Sequence, residues 1–331
     1  MSARVSATEA YNGYIAAHVI YAMERLDMFT ALRKGPIDLA AFVKAHPVDA
    51  ATFRALIDLA IEFGYLTESA DSISLTDAGE EAYRLRGFFT WAVGGYADVF
   101  RGADTIAANR GAYGVDVCRD EAMVALGSAQ AGVELMADTV SRVLAQVDFG
   151  VLADLGSGTS ARICDVISGR PGTRGIGLDI SAPATAIGEQ TVKERNLESR
   201  VQALRADVLD VIHHRTHRET FAEVDTVMSF FLLHDLLADP AKRSDVLPRM
   251  REAFPAATTF LLADTVRRAP GADGPHLPIF STGFELAHGL MGVPLYTKTE
   301  YERLFQAAGL RFAEPVALGA PHSWLFVLHT D

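Results

Sequence analysis

The sequence predicts an α/β protein in which a mainly helical N-terminal region precedes an open, largely parallel β-sheet. The chain has 331 residues, which is more than one hydrophobic core usually organises. Apolar residues near its start recur at helical spacing, whereas from Gly150 onward short apolar strands alternate with helical segments. This alternation is typical of parallel sheets with right-handed helical connections.

The N-terminal region begins with a predicted helix from Ala7 to Phe29, in which apolar residues recur every three or four positions. Pro36 opens a short predicted helix that runs through Lys44. Asp49 and Thr76 are predicted N-caps of two further helices, and two alternating runs between them predict a hairpin. The order helix, helix, hairpin, helix is typical of a winged helix, and we assign it to residues 1–90.

The charge of this region favours dimerisation over DNA binding. Residues 1–86 contain 8 basic and 12 acidic side chains, and the whole chain has 30 basic and 42 acidic side chains, a net charge of −12. An acidic surface repels phosphate backbones and anionic lipid at long range. We therefore expect a homodimer formed through this domain, with neither a nucleic acid nor a membrane as partner.

The cysteines and the N-terminus predict a cytoplasmic location. The two cysteines, Cys118 and Cys164, both lie in predicted helical segments, so no disulfide framework and no cysteine-based metal site is expected. The first residues lack a basic stretch followed by an apolar one, which a signal peptide would require. No uninterrupted apolar run approaches about 18 residues, the length needed to span a membrane.

The remaining chain divides into two predicted parts. Residues 91–145 are expected to form helices interrupted by glycines, and they connect the N-terminal domain to the sheet. Residues 146–331 are expected to form a Rossmann-like domain. Its predicted strands are the runs VLADLG, GIGLDI, VQALRAD, VDTVMSF, TTFLLAD and SWLFVLH.

A glycine-rich turn after the first of these strands predicts a ligand site. Asp154 ends the strand, Gly156 and Gly158 follow it, and a helix is predicted to start near Ser160. Glycines at this point allow a ligand to approach the N–H groups of a helix N-terminus. The next strand ends in Asp179, 21 residues beyond Gly158, where a carboxylate can accept both hydroxyls of a ribose.

These motifs resemble those of the class I S-adenosylmethionine-dependent methyltransferases, and the winged-helix region with LLHDLL narrows the resemblance to the O-methyltransferase-like branch. The resemblance covers essentially the whole chain and implies a methyltransferase with S-adenosylmethionine as methyl donor. It assigns the donor ribose to Asp179 and the adenine side to Asp207. The implied contacts with the glycine motif and the methionine portion come from Asp154, Gly156, Gly158, Ser229 and Phe230.

The stretch SFFLLHDLL places His234 and Asp235 in an otherwise apolar run just after a strand. In the plant-type O-methyltransferases that the chain resembles, a histidine at this position is the general base that removes a hydroxyl proton. An imidazole with an ordinary pKa of about 6.5 suits that task at neutral pH.

A second histidine indicates a different chemistry. His288 follows His234 by 54 positions, and the pair resembles that of the metal-dependent α-keto acid C-methyltransferases. These enzymes act on phenylpyruvate-like, ketoarginine-like or branched-chain keto acids in peptide natural-product pathways. The resemblance implies that two histidines hold one iron or zinc ion. Glu285 and Asp264 are candidates for a further ligand and, equally, for a supporting or capping group. A 2-keto acid can chelate such an ion, which then stabilises the enolate formed when C3 loses a proton.

The two chemistries assign incompatible tasks to His234, because a nitrogen that binds a metal cannot accept a proton. In the metal reading, Asp235 would orient its neighbour or a bound water. Arg119 is implied, by the same resemblance, as the cation that binds the substrate carboxylate. Pairing of Arg119 with Asp116 or Asp120 on a helix surface is an equal alternative.

Three functions therefore follow from the sequence in order of preference. The first is a C-methyltransferase that methylates C3 of a small 2-keto acid for nonribosomal peptide or other antibiotic biosynthesis. The second is an O-methyltransferase without a metal, in which His234 is the base. The third is a winged-helix regulator that senses S-adenosylmethionine, which the acidic N-terminal domain disfavours.

Overall fold

The computed structural model describes residues 5–70, 72–269, 272–273 and 277–330. Its N-terminal part contains five helices and a small antiparallel sheet in the order β1-β3-β2. As predicted, the side chains of Asp49 and Thr76 accept hydrogen bonds from the first turns of α4 and α5. The elements are α1 (Ala7–Arg25), α2 (Met28–Leu32), β1 (Ile37–Asp38), α3 (Leu39–Ala45), α4 (Ala50–Glu62), β2 (Leu66–Ser69), β3 (Ser72–Leu75) and α5 (Asp77–Phe89).

Two predicted helices in this part have different bounds. Helix α1 ends at Arg25, because Asp27 adopts a left-handed conformation with φ of 57° that interrupts the helix before α2. The segment after Pro36 starts as strand β1, which pairs with β3, and α3 begins only at Leu39. The carboxylate of Asp38 accepts a hydrogen bond from a backbone N–H in the first turn and caps α3.

The connecting region is helical and contains two π-helical turns, Thr90–Gly95 and Gly132–Met136. Its α-helices are α6 (Ala97–Arg101), α7 (Ala103–Ala107), α8 (Glu121–Ala131) and α9 (Ala137–Leu144). Helices α5 and α8 pack backbone to backbone, since a Cβ at Gly127 would lie 2.6 Å from the carbonyl oxygen of Gly87. Cys118 lies in an exposed segment between helices, so its predicted helical placement is wrong, whereas Cys164 lies in a helix as predicted.

The C-terminal part is an eight-stranded sheet flanked by helices, and all six predicted strands are present. Two short strands, β9 and β10, pair with β11 and have no counterpart in the prediction. The elements are β4 (Val151–Leu155), α10 (Ala161–Ser168), β5 (Arg174–Asp179), α11 (Ala182–Glu194), β6 (Val201–Arg205), α12 (Val208–His214), α13 (Arg218–Phe221), β7 (Thr226–Phe230), α14 (Leu233–Leu236), α15 (Arg243–Ala253), β8 (Thr259–Thr265), α16 (Ser281–Met291), α17 (Lys298–Ala307), β9 (Arg311–Phe312), β10 (Val316–Ala317) and β11 (Ser323–His329).

The sheet order places a ligand crevice at the carboxyl end of β4. The main path is β10-β11-β8-β7-β4-β5-β6, in which β6, β5, β4, β7 and β8 are parallel and β11 is antiparallel to β8. Every residue of β4, β7 and β8 is buried, as expected for central strands covered on both faces. Strand β5 pairs with one edge of β4, and β7 pairs with the other. The strand order therefore reverses at β4, which is where doubly wound sheets bind ligands. Among the described residues, no helix combines the length and the apolar character needed to cross a membrane.

Candidate active site

A cavity of about 690 Å³ opens at this carboxyl edge of the sheet. Its walls come from the glycine-rich turn after β4, the ends of β5 and β7, and the connecting region with its two π-helical turns. Trp91, Tyr96, Phe280 and Phe284 form an aromatic cluster on one side, with His234 and His288 adjacent to it. The cavity therefore joins the glycine turn to the predicted histidine pair within one enclosed space.

The glycine turn has the geometry that a close ligand approach requires. Gly156 and Gly158 adopt φ values of 73° and 55°, which favour glycine, and both line the cavity. The N–H of Gly158 donates to the Asp179 carboxylate at 2.8 Å, so the turn and the end of β5 are held together. Burial raises the pKa of Asp179, although the N–H groups of Ser181 and Gly158 oppose that effect. The residues fit the ribose and methionine portions of a nucleoside donor.

Asp154 lies under this turn and is fully buried. Neither of its carboxylate oxygens makes a hydrogen bond of ordinary geometry among the described residues, although the nearby Ser157 hydroxyl favours its charged form. Burial raises its pKa to about 6, and the nearby Arg162 guanidinium acts in the opposite direction. A buried carboxylate without a partner is an expensive arrangement in a folded protein, so this group fits a site for a cationic ligand group.

Two other predicted donor contacts have different surroundings. The Ser229 hydroxyl donates to the Leu155 carbonyl at 3.0 Å inside the sheet, and Ser229 does not line the cavity. The contact of Ser229 with the donor stays a prediction. Asp207 lines the cavity, but its carboxylate accepts from the N–H of Leu209 and caps α12. Phe230 also lines the cavity.

His234 is fixed in orientation by a neighbouring strand. Its Nδ1 lies 2.8 Å and 3.0 Å from the two carboxylate oxygens of Asp264 in β8, and its backbone N–H donates to the same group. Asp264 also accepts from the hydroxyl of Tyr301 at 2.8 Å. Burial lowers the pKa of His234, but the Asp264 and Asp235 carboxylates outweigh burial, so its pKa is raised. Because Nδ1 is bonded to the Asp264 carboxylate, Nε2 is the nitrogen of His234 that is available to bind a ligand.

His288 is fixed in the same way by its own helix. Its Nδ1 donates to the carbonyl of Phe284 at 2.7 Å, which leaves Nε2 as the acceptor nitrogen. Burial, with the His234 ring nearby, lowers the pKa of His288 to about 2, so this imidazole is neutral at physiological pH. The two rings lie 4.5 Å apart between centroids and are nearly perpendicular.

Asp235 completes a group of three metal-ligand side chains. One ligand atom from each of His234, Asp235 and His288 lies within 4.8 Å of the others, and Nε2 of His234 lies 3.7 Å from Oδ2 of Asp235. A single ion with bonds of about 2.1 Å to the two imidazoles would lie beside the Asp235 carboxylate. Neutral imidazoles whose other nitrogen donates to an oxygen are the usual form of histidine ligands. The donor set therefore fits iron or zinc.

Of the further ligands considered from the sequence, neither lies in this group of three. Glu285 binds the Arg268 guanidinium with both oxygens at 2.9 Å, away from the histidines. Asp264 sits behind His234 and orients it. No sequence pattern singles out Tyr301, because its position in α17 matches that of an ordinary core aromatic.

Arg119 faces the cavity and not a helix surface. Its Nη1 donates to the Tyr96 hydroxyl at 2.9 Å, and its Nε has no hydrogen-bond partner among the described residues. The carboxylates of Asp116 and Asp120 instead accept hydrogen bonds from backbone N–H groups. The alternative pairing of Arg119 with either aspartate is thus excluded.

Comparison with known proteins gives relatives over nearly the full chain. No family model matches the sequence. The chain is 28% identical to an indolepyruvate C-methyltransferase of Streptomyces griseus (98% of this chain, 95% of the relative). It is 26% identical to methyltransferase ungE' of Aspergillus campestris (92% and 90%) and 22% identical to a 2-ketoarginine methyltransferase of Streptomyces arginensis (93% and 88%).

Solved structures share the fold. PigF with S-adenosylhomocysteine superimposes with a TM-score of 0.70 at 18% identity, covering 99% of this chain and 100% of that one. Human N-acetylserotonin methyltransferase in complex with S-adenosylmethionine gives a TM-score of 0.67 at 18% identity, with 100% of both chains covered. The α/β fold and the resemblance to methyltransferases that act on keto acids are confirmed.

Proposed function

We propose that the chain is an S-adenosylmethionine-dependent C-methyltransferase that methylates C3 of a 2-keto acid, with a divalent iron or zinc ion bound by His234 and His288. The observation that carries this proposal is the group formed by His234, His288 and Asp235, in which one ligand atom of each side chain lies within 4.8 Å of the others. The names of two relatives, which act on indolepyruvate and 2-ketoarginine, support a keto acid as substrate.

The glycine turn and Asp179 bind the donor at one end of the cavity. Asp179 would exchange its bond with the Gly158 N–H for the ribose hydroxyls. Asp154, with two unpartnered oxygens beneath the turn, attracts the donor's cationic methionine end.

The acceptor binds at the histidine end of the same cavity. A bound ion supplies Lewis-acid chemistry there, because it withdraws charge from the keto and carboxylate oxygens of the substrate and acidifies C3. Asp264 and Phe284 hold the two imidazoles in the tautomer that presents Nε2. Arg119 binds the substrate carboxylate with its free Nε edge, in a position fixed by the Tyr96 hydroxyl.

Asp235 is the group that accepts the C3 proton. His234 Nε2 is a ligand in this proposal and His288 is already neutral, so neither can act as the base. The carbon–hydrogen bond breaks, its electron pair enters the enolate, and C3 then attacks the sulfonium methyl. The carbon–sulfur bond breaks and S-adenosylhomocysteine leaves. The aromatic wall of Trp91, Tyr96 and Phe284 excludes water from this step.

An O-methyltransferase without a metal is the second candidate, and the Asp264–His234 pair favours it. A carboxylate on Nδ1 orients the imidazole and raises its basicity, which is also what a general base requires. The position of His288 has no role in that chemistry, and for this reason we rank it second.

To separate the metal-dependent C-methyltransferase from the metal-free O-methyltransferase, His288 is replaced by Ala, and bound metal and turnover are measured. Protein purified without added metal should contain close to one equivalent of iron or zinc, and the variant should lose both metal and C-methylation. His46→Ala is a matched control, because its Nδ1 also bonds the carbonyl four residues earlier and its ring also stacks on that phenylalanine. Full activity of the unaltered protein in a strong chelator would contradict the metal proposal.

Hydrogen exchange separates carbon from oxygen chemistry. A 2-keto acid incubated with the enzyme in deuterium oxide without donor should exchange its C3 protons, and Asp235→Asn should slow this exchange strongly while keeping the metal. Methylation of a hydroxyl acceptor that persists in His288→Ala would favour the second candidate.

We also propose that residues 1–90 form a homodimerisation domain, that residues 91–145 connect it to the catalytic domain 146–331, and that the enzyme serves natural-product precursor synthesis in the cytoplasm. Tyr11 and Tyr14 on α1 are 70% and 64% exposed, which is unusual for large aromatic side chains. Light scattering should give a dimer mass that falls to the monomer mass in Tyr11→Glu/Tyr14→Glu. A monomer at all concentrations would contradict this assignment.

A further inference from the structure

A second arginine lines the cavity without a partner. Arg162 lies in the first turn of α10, just after the glycine turn, and its guanidinium carbon stands 3.8 Å from the centroid of the Phe230 ring. Within the part of the chain that the structure describes, this contact with the Phe230 ring is accompanied by no hydrogen bond and no ion pair of Arg162. The sequence reasoning did not single it out, because an arginine at the start of a helix is common on protein surfaces.

The surroundings of Arg162 leave it available for an anion. Two carboxylates influence it, those of Asp154 and Asp165. Asp165 is already paired with Arg195. Among the described residues, the Asp154 carboxylate makes no hydrogen bond of ordinary geometry, although the Ser157 hydroxyl is close enough to favour its charged form. Opposite charges thus lie close together at this end of the cavity without bonding to each other.

The connecting region makes room for this guanidinium. A Cβ at Gly132, the first residue of the second π-helical turn, would lie 3.1 Å from Nη2 of Arg162. A larger residue would force the guanidinium to move. Arg170 also lines the cavity, but it donates to the carbonyls of Leu144 and Val147 and supports the backbone there.

We infer that Arg162 binds the α-carboxylate of the methyl donor. The methionine end of that donor carries an ammonium and a carboxylate, and this end of the cavity presents an unpartnered carboxylate and an unpartnered guanidinium beside the glycine turn. A planar guanidinium binds a carboxylate bidentately, and a partly desolvated one gains most from doing so. The inference rests on the donor binding of the proposed function but not on the keto acid or the metal.

The proposed keto acid substrate also carries a carboxylate, so Arg119 and Arg162 must each be matched to one of the two carboxylates. Arg119 donates to the Tyr96 hydroxyl at 2.9 Å, in the aromatic cluster beside the two histidines, although its charge also reaches Asp179. Arg162 instead acts on Asp154, beneath the glycine turn. The positions of the two arginines therefore assign the substrate carboxylate to Arg119 and the donor carboxylate to Arg162.

Calorimetric titration without keto acid tests this assignment. The probes are S-adenosylhomocysteine and its decarboxylated analogue, which keeps the nucleoside, the sulfur and the amine. The unaltered protein should bind S-adenosylhomocysteine about 10- to 100-fold more tightly than the analogue. Arg162→Gln should remove this preference by weakening S-adenosylhomocysteine alone, and Arg162→Lys should retain part of it. Arg174→Gln, which removes the same charge from an exposed ion pair at the start of β5, should bind both probes normally.

Each other outcome has a definite meaning. Equal weakening of both probes by Arg162→Gln would overturn the inference and assign Arg162 a structural role. Unchanged binding of both probes with a raised KM for the acceptor would overturn it in favour of the substrate carboxylate. If Arg162→Gln melts early, the preference of Arg162→Lys for S-adenosylhomocysteine over its analogue decides, since a reduced preference supports the inference and a full preference overturns it. Failure of the keto acid or metal assignment leaves these titrations unaffected.

Discussion

Replacement of Asp154 by Asn should change how the stability of the ligand-free protein depends on pH. The carboxylate is fully buried and its pKa is raised from 3.8 to about 6, mainly because burial disfavours the charged form. Each pKa unit corresponds to about 1.4 kcal/mol, so ionised Asp154 costs the fold about 3 kcal/mol. The folded state binds a proton at Asp154 more tightly than the unfolded state does. The stabilisation that this proton gives the fold is therefore complete below about pH 4 and is lost as the pH rises through 6.

The assay compares free energies of unfolding in urea for the unaltered protein and Asp154→Asn from pH 5 to pH 8. The other carboxylates are present in both proteins, so their contributions cancel when one free energy of unfolding is subtracted from the other. Relative to Asp154→Asn, the free energy of unfolding of the unaltered protein should fall by about 1.4 kcal/mol between pH 5 and pH 8. The rest of the effect lies below pH 5. A difference that is constant with pH, or one that shifts in favour of the unaltered protein, would refute the argument from burial.

Ligand binding gives the same prediction a second readout. An ammonium beside Asp154 stabilises its charged form, so the affinity of the unaltered protein for S-adenosylhomocysteine should fall as the pH drops through 6. Asp154→Asn should bind more weakly and show no such fall. An identical pH profile for the two proteins would mean that the donor does not interact with this carboxylate.

Three further predictions concern groups around the cavity. Tyr301→Phe removes the hydroxyl that donates to Asp264 and should lower metal affinity about 10- to 100-fold in a chelator competition; unchanged affinity would contradict a positioning role. Gly127→Ala would place a Cβ 2.6 Å from the Gly87 carbonyl oxygen, so it should destabilise the fold by about 1–3 kcal/mol in thermal unfolding, and an unchanged Tm would contradict the close packing of α5 on α8. Arg119→Gln should raise the KM of the keto acid at least about tenfold and leave S-adenosylhomocysteine affinity unchanged, whereas equal loss of both would contradict its assignment to the acceptor.

Much of the fold could be predicted because its signals are local. Each of the six longer strands is an apolar run between turn residues, and Asp49 and Thr76 cap helices through bonds to N–H groups three residues away. The errors also have local causes. The end of α1 depends on the left-handed backbone of Asp27, and strand β1 exists only because β3 pairs with it. Two-residue strands carry too few side chains for a pattern.

The candidate site divides in a similar way between sequence and tertiary structure. The glycine turn, Asp179 and the two histidines were identified from motifs and from the family that they resemble. The bond from Asp264 to His234 joins residues 30 positions apart, and the one from Tyr301 to Asp264 joins residues 37 positions apart, so no local pattern could reveal them. The bond from the Ser229 hydroxyl to the Leu155 carbonyl joins residues 74 positions apart and is equally invisible in the sequence.

By itself, the sequence determined the α/β class, the strand order along the chain and which residue types were available for the chemistry. Tertiary structure alone decided which charged groups found partners. Glu285 is bound by Arg268, whereas Asp154 and Arg162 are left without hydrogen bonds beside the glycine turn. The physical reason is that burial and pairing depend on contacts between distant segments, and these contacts set the cost of each charge.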